Sequence, residues 1–229
     1  MIKFENTEVF NFEGAIRGMR NPLNSWDKSD SYIKENCNEC QHKSDYSVCK
    51  HNPIHKCFDV VIGENDLALM KKLIKAGSDH RKFMRQILVS VDITAPLYWW
   101  KEFDTYKVGT VSNSCSTMHK IHEKEFTLED FSFENCDKWT RDVVCGCIIN
   151  ALNMNRNNYL ETKDKKYWWQ MIQLLPSSYN QRRTITLNYE TLYNIYGSRR
   201  NHKLGEWGIG FMDWIKSLPY AEELIIDRG

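Results

Sequence analysis

A chain of 229 residues, 41% hydrophobic and 27% charged, has the composition of an ordinary globular protein and is long enough to bury a core without disulfide or metal staples. Its net charge of +1 supplies no long-range field. Nucleic acid and anionic membrane are therefore not expected partners, and any anionic ligand must be held by a local cluster. No apolar run is long enough to span a bilayer, and the start MIKFENTEVF has neither a basic stretch nor an apolar signal core. A cytoplasmic location is expected, where cysteines stay reduced.

In chain order, residues 15–19 suit a helical turn that ends at Asn21-Pro22, because proline cannot continue a helix and restricts the residue before it. Residues 27–60 are mostly polar, without periodicity, and read as an insertion within one domain covering residues 1–229. A helix begins at Asn65: Leu67, Met70, Leu73 and Ile74 share one face, Lys71, Lys72 and Lys75 the other, and Gly77 is placed to cap it. Ile87, Val89, Val91 and Ile93 alternate with Leu88, Ser90, Asp92 and Thr94, the pattern of a strand. Pro96 suits the first turn of a helix reaching about Phe103. Residues 110–116 show no period. Helices are expected over about 134–155, 163–174, 181–196 and 205–218, the last turning Trp207, Phe211, Trp214, Ile215 and Leu218 inward. The whole reads as a helix-rich α+β chain with a small mixed sheet.

The insertion carries Cys37, Cys40, Cys49 and Cys57 in the spacing C-x2-C-x8-C-x7-C, interleaved with His42, His51 and His55. A C-x-x-C turn brings two thiolates to one ion, and two later ligands would complete a tetrahedral zinc site that also tethers a polar loop. Two other readings stay open: unliganded reduced thiols, and a redox pair at Cys37 and Cys40. No basic recognition helix follows, so a nucleic-acid finger is not the reading. Cys136, Cys145 and Cys147 lie in a helical apolar pattern, where cysteine acts as a small hydrophobe. Cys115, in the polar run SNSCST, is placed to face a ligand. As a nucleophile it would need a base, and His119 and His122 are neighbours only in sequence.

Several segments together resemble the flavin-dependent thymidylate synthases. NDLALMKKLIKAGSDHRKFMRQILVSVDITAP is similar to that family's helix, histidine-bearing turn and strand ending in Ala-Pro, with His80 on the histidine. Leu174, Leu175 and Pro176 match the Leu-Pro that precedes its nucleotide-site helix. Asn188 falls on that helix's asparagine and Arg199, eleven residues on, falls on its arginine. The similarity runs from Ala15 to Trp214 around the insertion. It implies a ThyX-like α+β fold (the thymidylate-synthase-complementing-protein type), FAD bound with His80 and Asn188, and a pyrimidine nucleotide such as dUMP polarised by Arg199. It also implies a folate one-carbon donor and a homotetramer. Cys115, Ser116 and Lys107 fall in the segments that would contact substrate.

The departures from that pattern are specific. Thr105-Tyr106-Lys107 stands where the family has Arg-His-Arg, Cys115 where it has serine, and Thr117 and Ile172 where it has arginines. Arginine holds phosphate with a planar fork, so these are not conservative changes. Lys101, Lys107, Arg182, Arg183 and Arg200 are candidates for replacement charge, or are solvated surface residues. Tyr98-Trp99-Trp100 and Trp168-Trp169 offer stacking faces, although neighbours on a helix point apart and at most one of each group suits one pocket. For Arg199 the residue-level alternatives are a helix cap or a surface ion pair.

Two functions follow, besides a zinc-stabilised interaction protein that would share the fold alone. One is a divergent flavin-dependent methyl- or hydroxymethyltransferase moving a one-carbon unit to C5 of a pyrimidine nucleotide, with no enzyme nucleophile required. The other is a catalytically inactive nucleotide- or flavin-binding protein used for sensing, sequestration or assembly.

Overall fold

The computed structural model describes residues 2–33 and 60–227. The four insertion cysteines, Cys37, Cys40, Cys49 and Cys57, lie outside the described residues. In chain order the elements are β1 (Lys3–Phe10), α1 (Phe12–Arg20), β2 (Tyr32–Ile33), β3 (Val60–Val61), α2 (Glu64–Lys75), a 3-10 turn at Arg81–Arg85, β4 (Leu88–Pro96), α3 (Leu97–Phe103) and β5 (Val111–Ser114). A π-helical segment at Thr140–Cys145 leads into α4 (Gly146–Thr162). Then come α5 (Lys165–Leu174), β6 (Asn180–Asn188), α6 (Tyr189–Arg199), a π-helical segment at Glu206–Phe211, α7 (Met212–Lys216) and a last π turn at Glu222–Ile226. The fold is helix-rich α+β, with a four-stranded sheet ordered β1-β4-β6-β5 and an antiparallel pair β2-β3.

The strands form where the residues alternate. Val89, Val91, Ile93 and Ala95 of β4 are all buried, while the residues between them are not. In β6 the same period is carried by Ile185 and Leu187 against the exposed Thr184 and Thr186. Residues 181–196 are therefore not one helix. The β-branched Thr-Ile-Thr run favours a pleated half-buried surface, and the helix starts only after Asn188 caps it.

The chain divides into two compact units. The first comprises Ile93–Thr105 and Asn113–Arg183 with the N-terminal residues through Lys3. Its core joins Ile121, Phe126, Phe131, Ile149, Leu152 and Met171, and α4 packs on α5 as a helical hairpin. Lys163 turns that hairpin in the left-handed conformation, and Asp164 caps α5 by accepting from Lys166 N. Trp99, Trp100 and Phe103 of α3 are buried against one another, with Trp99 stacked on Phe103 at 5.0 Å, so the Trp99-Trp100 pair is core rather than a ligand platform. Trp168 donates its ring N–H to the Met118 carbonyl, and Trp169 is exposed.

The second unit holds Phe4–Asp92, Tyr106–Ser112 and Thr184 onward. Here α6 packs against the 81–85 turn, α7 and the 222–226 turn, and α1 packs on the 81–85 turn. Phe12 meets Tyr189 edge-on at 5.5 Å, and Phe4 stacks on Trp214 at 4.9 Å. At the base of the insertion, Ile33 and Val60 are register partners, so the chain leaves and returns side by side.

Candidate functional site

The site is built along α6, in the second unit. Its entry is a sharp change of backbone: Asn188 ends β6 extended, and its side-chain Oδ1 accepts from Thr191 N at 2.9 Å, capping α6. Asparagine does this well because its oxygen satisfies one of the N–H groups a helix start leaves without a partner. Asn188 is 7% exposed. What covers it is the loop carrying Tyr106 to Gly109. Thr191 Oγ1 donates to the Val108 carbonyl at 3.1 Å, and Gly109 has φ +71°. A Cβ on Gly109 would lie 2.5 Å from Asn188 Nδ2 and 3.1 Å from Thr191 Oγ1, so the loop approaches this closely only because the residue is glycine.

The same loop reaches the other end of the helix. Arg199 lies in the last turn of α6, where a cation suits the negative end of the helix dipole. Its Nε–H donates to Tyr106 Oη at 2.8 Å. The guanidinium carbon sits 5.7 Å from the Tyr106 ring centroid and 5.2 Å from that of Trp207, and the two rings are 6.3 Å apart. Trp207 is fully buried, carried by the π-helical segment Glu206–Phe211, and His202 is 6.2 Å from its ring. At 1.5 Å per residue, Asn188 and Arg199 stand roughly 16 Å apart along the helix. They mark two ends of an elongated site rather than one contact point.

On the flank of α6, Glu190 binds both Arg81 and Arg85, with Arg81 Nε 3.1 Å from Oε1, and Arg81 lies 4.6 Å over the Tyr193 ring. Burial pushes the Glu190 carboxyl up, but hydrogen bonds from Arg85 and Arg81 and their charges outweigh it and hold it below the usual range. His80 opens this turn, exposed, its backbone N–H given to the Gly77 carbonyl. Lys107 is exposed on the loop between Tyr106 and Val108.

His80, Lys107, Asn188 and Arg199 thus belong to one compact unit. Cys115 and Ser116 belong to the other. There Cys115 N–H donates to the Arg182 carbonyl at 2.9 Å and its carbonyl accepts from Gln181 Nε2 at 2.7 Å, while Ser116 Oγ accepts from His119 N in a tight turn. Arg183 is engaged: its Nη1 is 2.7 Å from Asp104 and its guanidinium lies 4.2 Å over Trp100. Among the described residues there is no group of three or more His, Cys, Asp or Glu able to hold a metal, and no helix long and apolar enough to cross a membrane. Tyr106 and Trp207 escaped the sequence reading as site residues. One stood out only as a departure from a motif and the other as an inward aromatic, and nothing local signals that they converge on Arg199.

The fold is of the flavin-dependent thymidylate synthase type. Thymidylate synthase X from Helicobacter pylori, solved with FAD and dUMP, superposes with a TM-score of 0.65 at 15% identity, over 100% of this chain and 99% of that one. A second structure of ThyX from Helicobacter pylori, also complexed with FAD and dUMP, gives 0.64 at 14%, over 98% of each chain. The chain matches no family model and no curated protein sequence. At this identity the likeness is one of fold.

Proposed function

We propose that this chain binds a flavin and a pyrimidine nucleotide and moves a one-carbon unit to C5 of the pyrimidine, using a folate-class donor and assembled as a homotetramer. The observation that carries the reading is Arg199. It ends α6 oriented by Tyr106 and Trp207, in a chain that follows over its full length the fold of proteins solved with FAD and dUMP. A guanidinium beside a pyrimidine carbonyl draws electron density from the ring and makes C5 nucleophilic, so no enzyme nucleophile is needed. What supports FAD is that His80 and Lys107 are exposed in the same unit as Asn188, with Arg85 half exposed although paired with Glu190, and these cations would meet its diphosphate. When bound, reduced flavin would supply a hydride.

A second reading has its own support. Thr105-Tyr106-Lys107 lacks the guanidinium groups expected there, and Arg183 is already paired with Asp104 and stacked on Trp100. That pattern suits a protein that binds nucleotide or flavin without turnover. The test is a flavin titration read by absorbance, followed by dUMP calorimetry and assay of dUMP methylation with a folate donor. Binding of both with product supports transfer, and binding without product supports the second reading. Binding of neither overturns both.

A further inference from the structure

We infer that Tyr106 is the positioning residue of Arg199, fixing the plane in which its guanidinium meets a nucleotide. The inference rests on the nucleotide reading above. The Tyr106 phenol oxygen accepts the Arg199 Nε–H at 2.8 Å, a contact between residues 93 apart in sequence. A phenol holds the Nε edge of a guanidinium through a neutral acceptor oxygen. The fully buried Trp207 ring underlies the guanidinium at 5.2 Å and stands 6.3 Å from the Tyr106 ring, so the Tyr106 hydrogen bond and two aromatic faces bear on its plane together. The backbone that presents Tyr106 is itself clamped. Val108 accepts from Thr191 Oγ1, and Gly109 is seated on Asn188 where no side chain would fit. Tyrosine is required here because phenylalanine keeps the ring but loses the acceptor.

Pre-orientation of this kind strengthens binding because the ordering is done before the ligand arrives. Tyr106→Phe is therefore expected to weaken dUMP binding about tenfold, the scale of a hydrogen bond to a charged group. In an Arg199→Lys background, which has no Nε–H, the same change adds less than about twofold, because the two residues act through one bond. In ligand-free protein the Arg199 side-chain Nε–H should exchange slowly with solvent, as seen by nitrogen-edited NMR, and fast in Tyr106→Phe. Undiminished dUMP affinity in Tyr106→Phe, or an equal loss in the Arg199→Lys background, overturns the inference while leaving the nucleotide reading intact. A wild-type chain that binds no dUMP overturns the nucleotide reading and this inference with it.

Discussion

Two arginines of the same compact unit are held in opposite ways. Arg20 is sealed: its side chain is 4% exposed and its Nε lies 2.6 Å from the fully buried Asp66. The other Asp66 oxygen accepts from the Ser29 and Ser31 hydroxyls at 2.8 and 2.6 Å and from the Asp30 and Ser31 amides. Arg20 Nη1 also reaches the Ser25 carbonyl at 3.1 Å. Asp30 in turn caps α2 by accepting from Asn65 N and Asp66 N. This clasp pins the chain just before the insertion. Arg199 instead is partly exposed at a helix end and rests on a phenol and an indole. A buried guanidinium meeting a buried carboxylate is a closed structural contact. A guanidinium laid on aromatic faces at a partly exposed helix end is oriented while staying within reach of a ligand.

From that contrast, the largest effect on stability comes from the sealed pair. Asp66→Ala leaves Arg20 buried without its carboxylate and should cost about 3–5 kcal/mol in urea denaturation, while folded protein binds dUMP normally. A loss below about 0.5 kcal/mol would show that the clasp is not sealed in solution. Arg199→Ala should invert the pattern, weakening dUMP binding by roughly 1.5–3 kcal/mol with the thermal midpoint nearly unmoved. Lost stability with unaltered binding would make Arg199 structural and erase the contrast.

Gly109→Ala tests what holds the loop onto α6. The left-handed φ and the contact with Asn188 Nδ2 together should cost about 1–2 kcal/mol of stability, measured as a lowered denaturation midpoint. Unchanged stability would mean the loop sits off the helix. The smallest effect is a pH dependence. Burial raises the Asp66 carboxyl, but hydrogen bonds from Ser31, Ser29 and Arg20 and the Arg20 charge outweigh it and lower it below its ordinary value. Its contribution is therefore fully present above the unfolded carboxylate range, about pH 4, and is lost as pH falls through the lower folded value. Urea midpoints from pH 7 to pH 3 should drop more steeply in wild type than in Asp66→Asn. Parallel curves would show that Asp66 is not the group being titrated.

Much of the frame was legible because it is written in local periods. The alternation from Ile87 to Ile93 gave β4, with Val89, Val91 and Ile93 buried as the pattern requires. The face of Met70 and Ile74 gave α2, and Pro96 marked the start of α3. The misreading of residues 181–196 as one helix had a physical cause. Ile185, Tyr189, Leu192 and Ile195 satisfy a helical spacing, while Ile185 and Leu187 between threonines satisfy a strand's, and both sets are buried. Only pairing within the sheet and the Asn188 cap decided where one period yields to the other.

The sequence by itself determined the residue types at the candidate site: His80, Asn188 and Arg199 at the places of the resemblance, and the missing Arg-His-Arg. Tertiary structure decided what those residues touch. It placed Asn188 under Gly109 as a helix cap, paired Arg183 with Asp104, and brought Tyr106 to Arg199. The reason is the range of the interactions. A period of two or 3.6 residues is imposed by the backbone and repeats along the chain, whereas a hydrogen bond closing a 93-residue separation leaves no trace in the spacing of its partners.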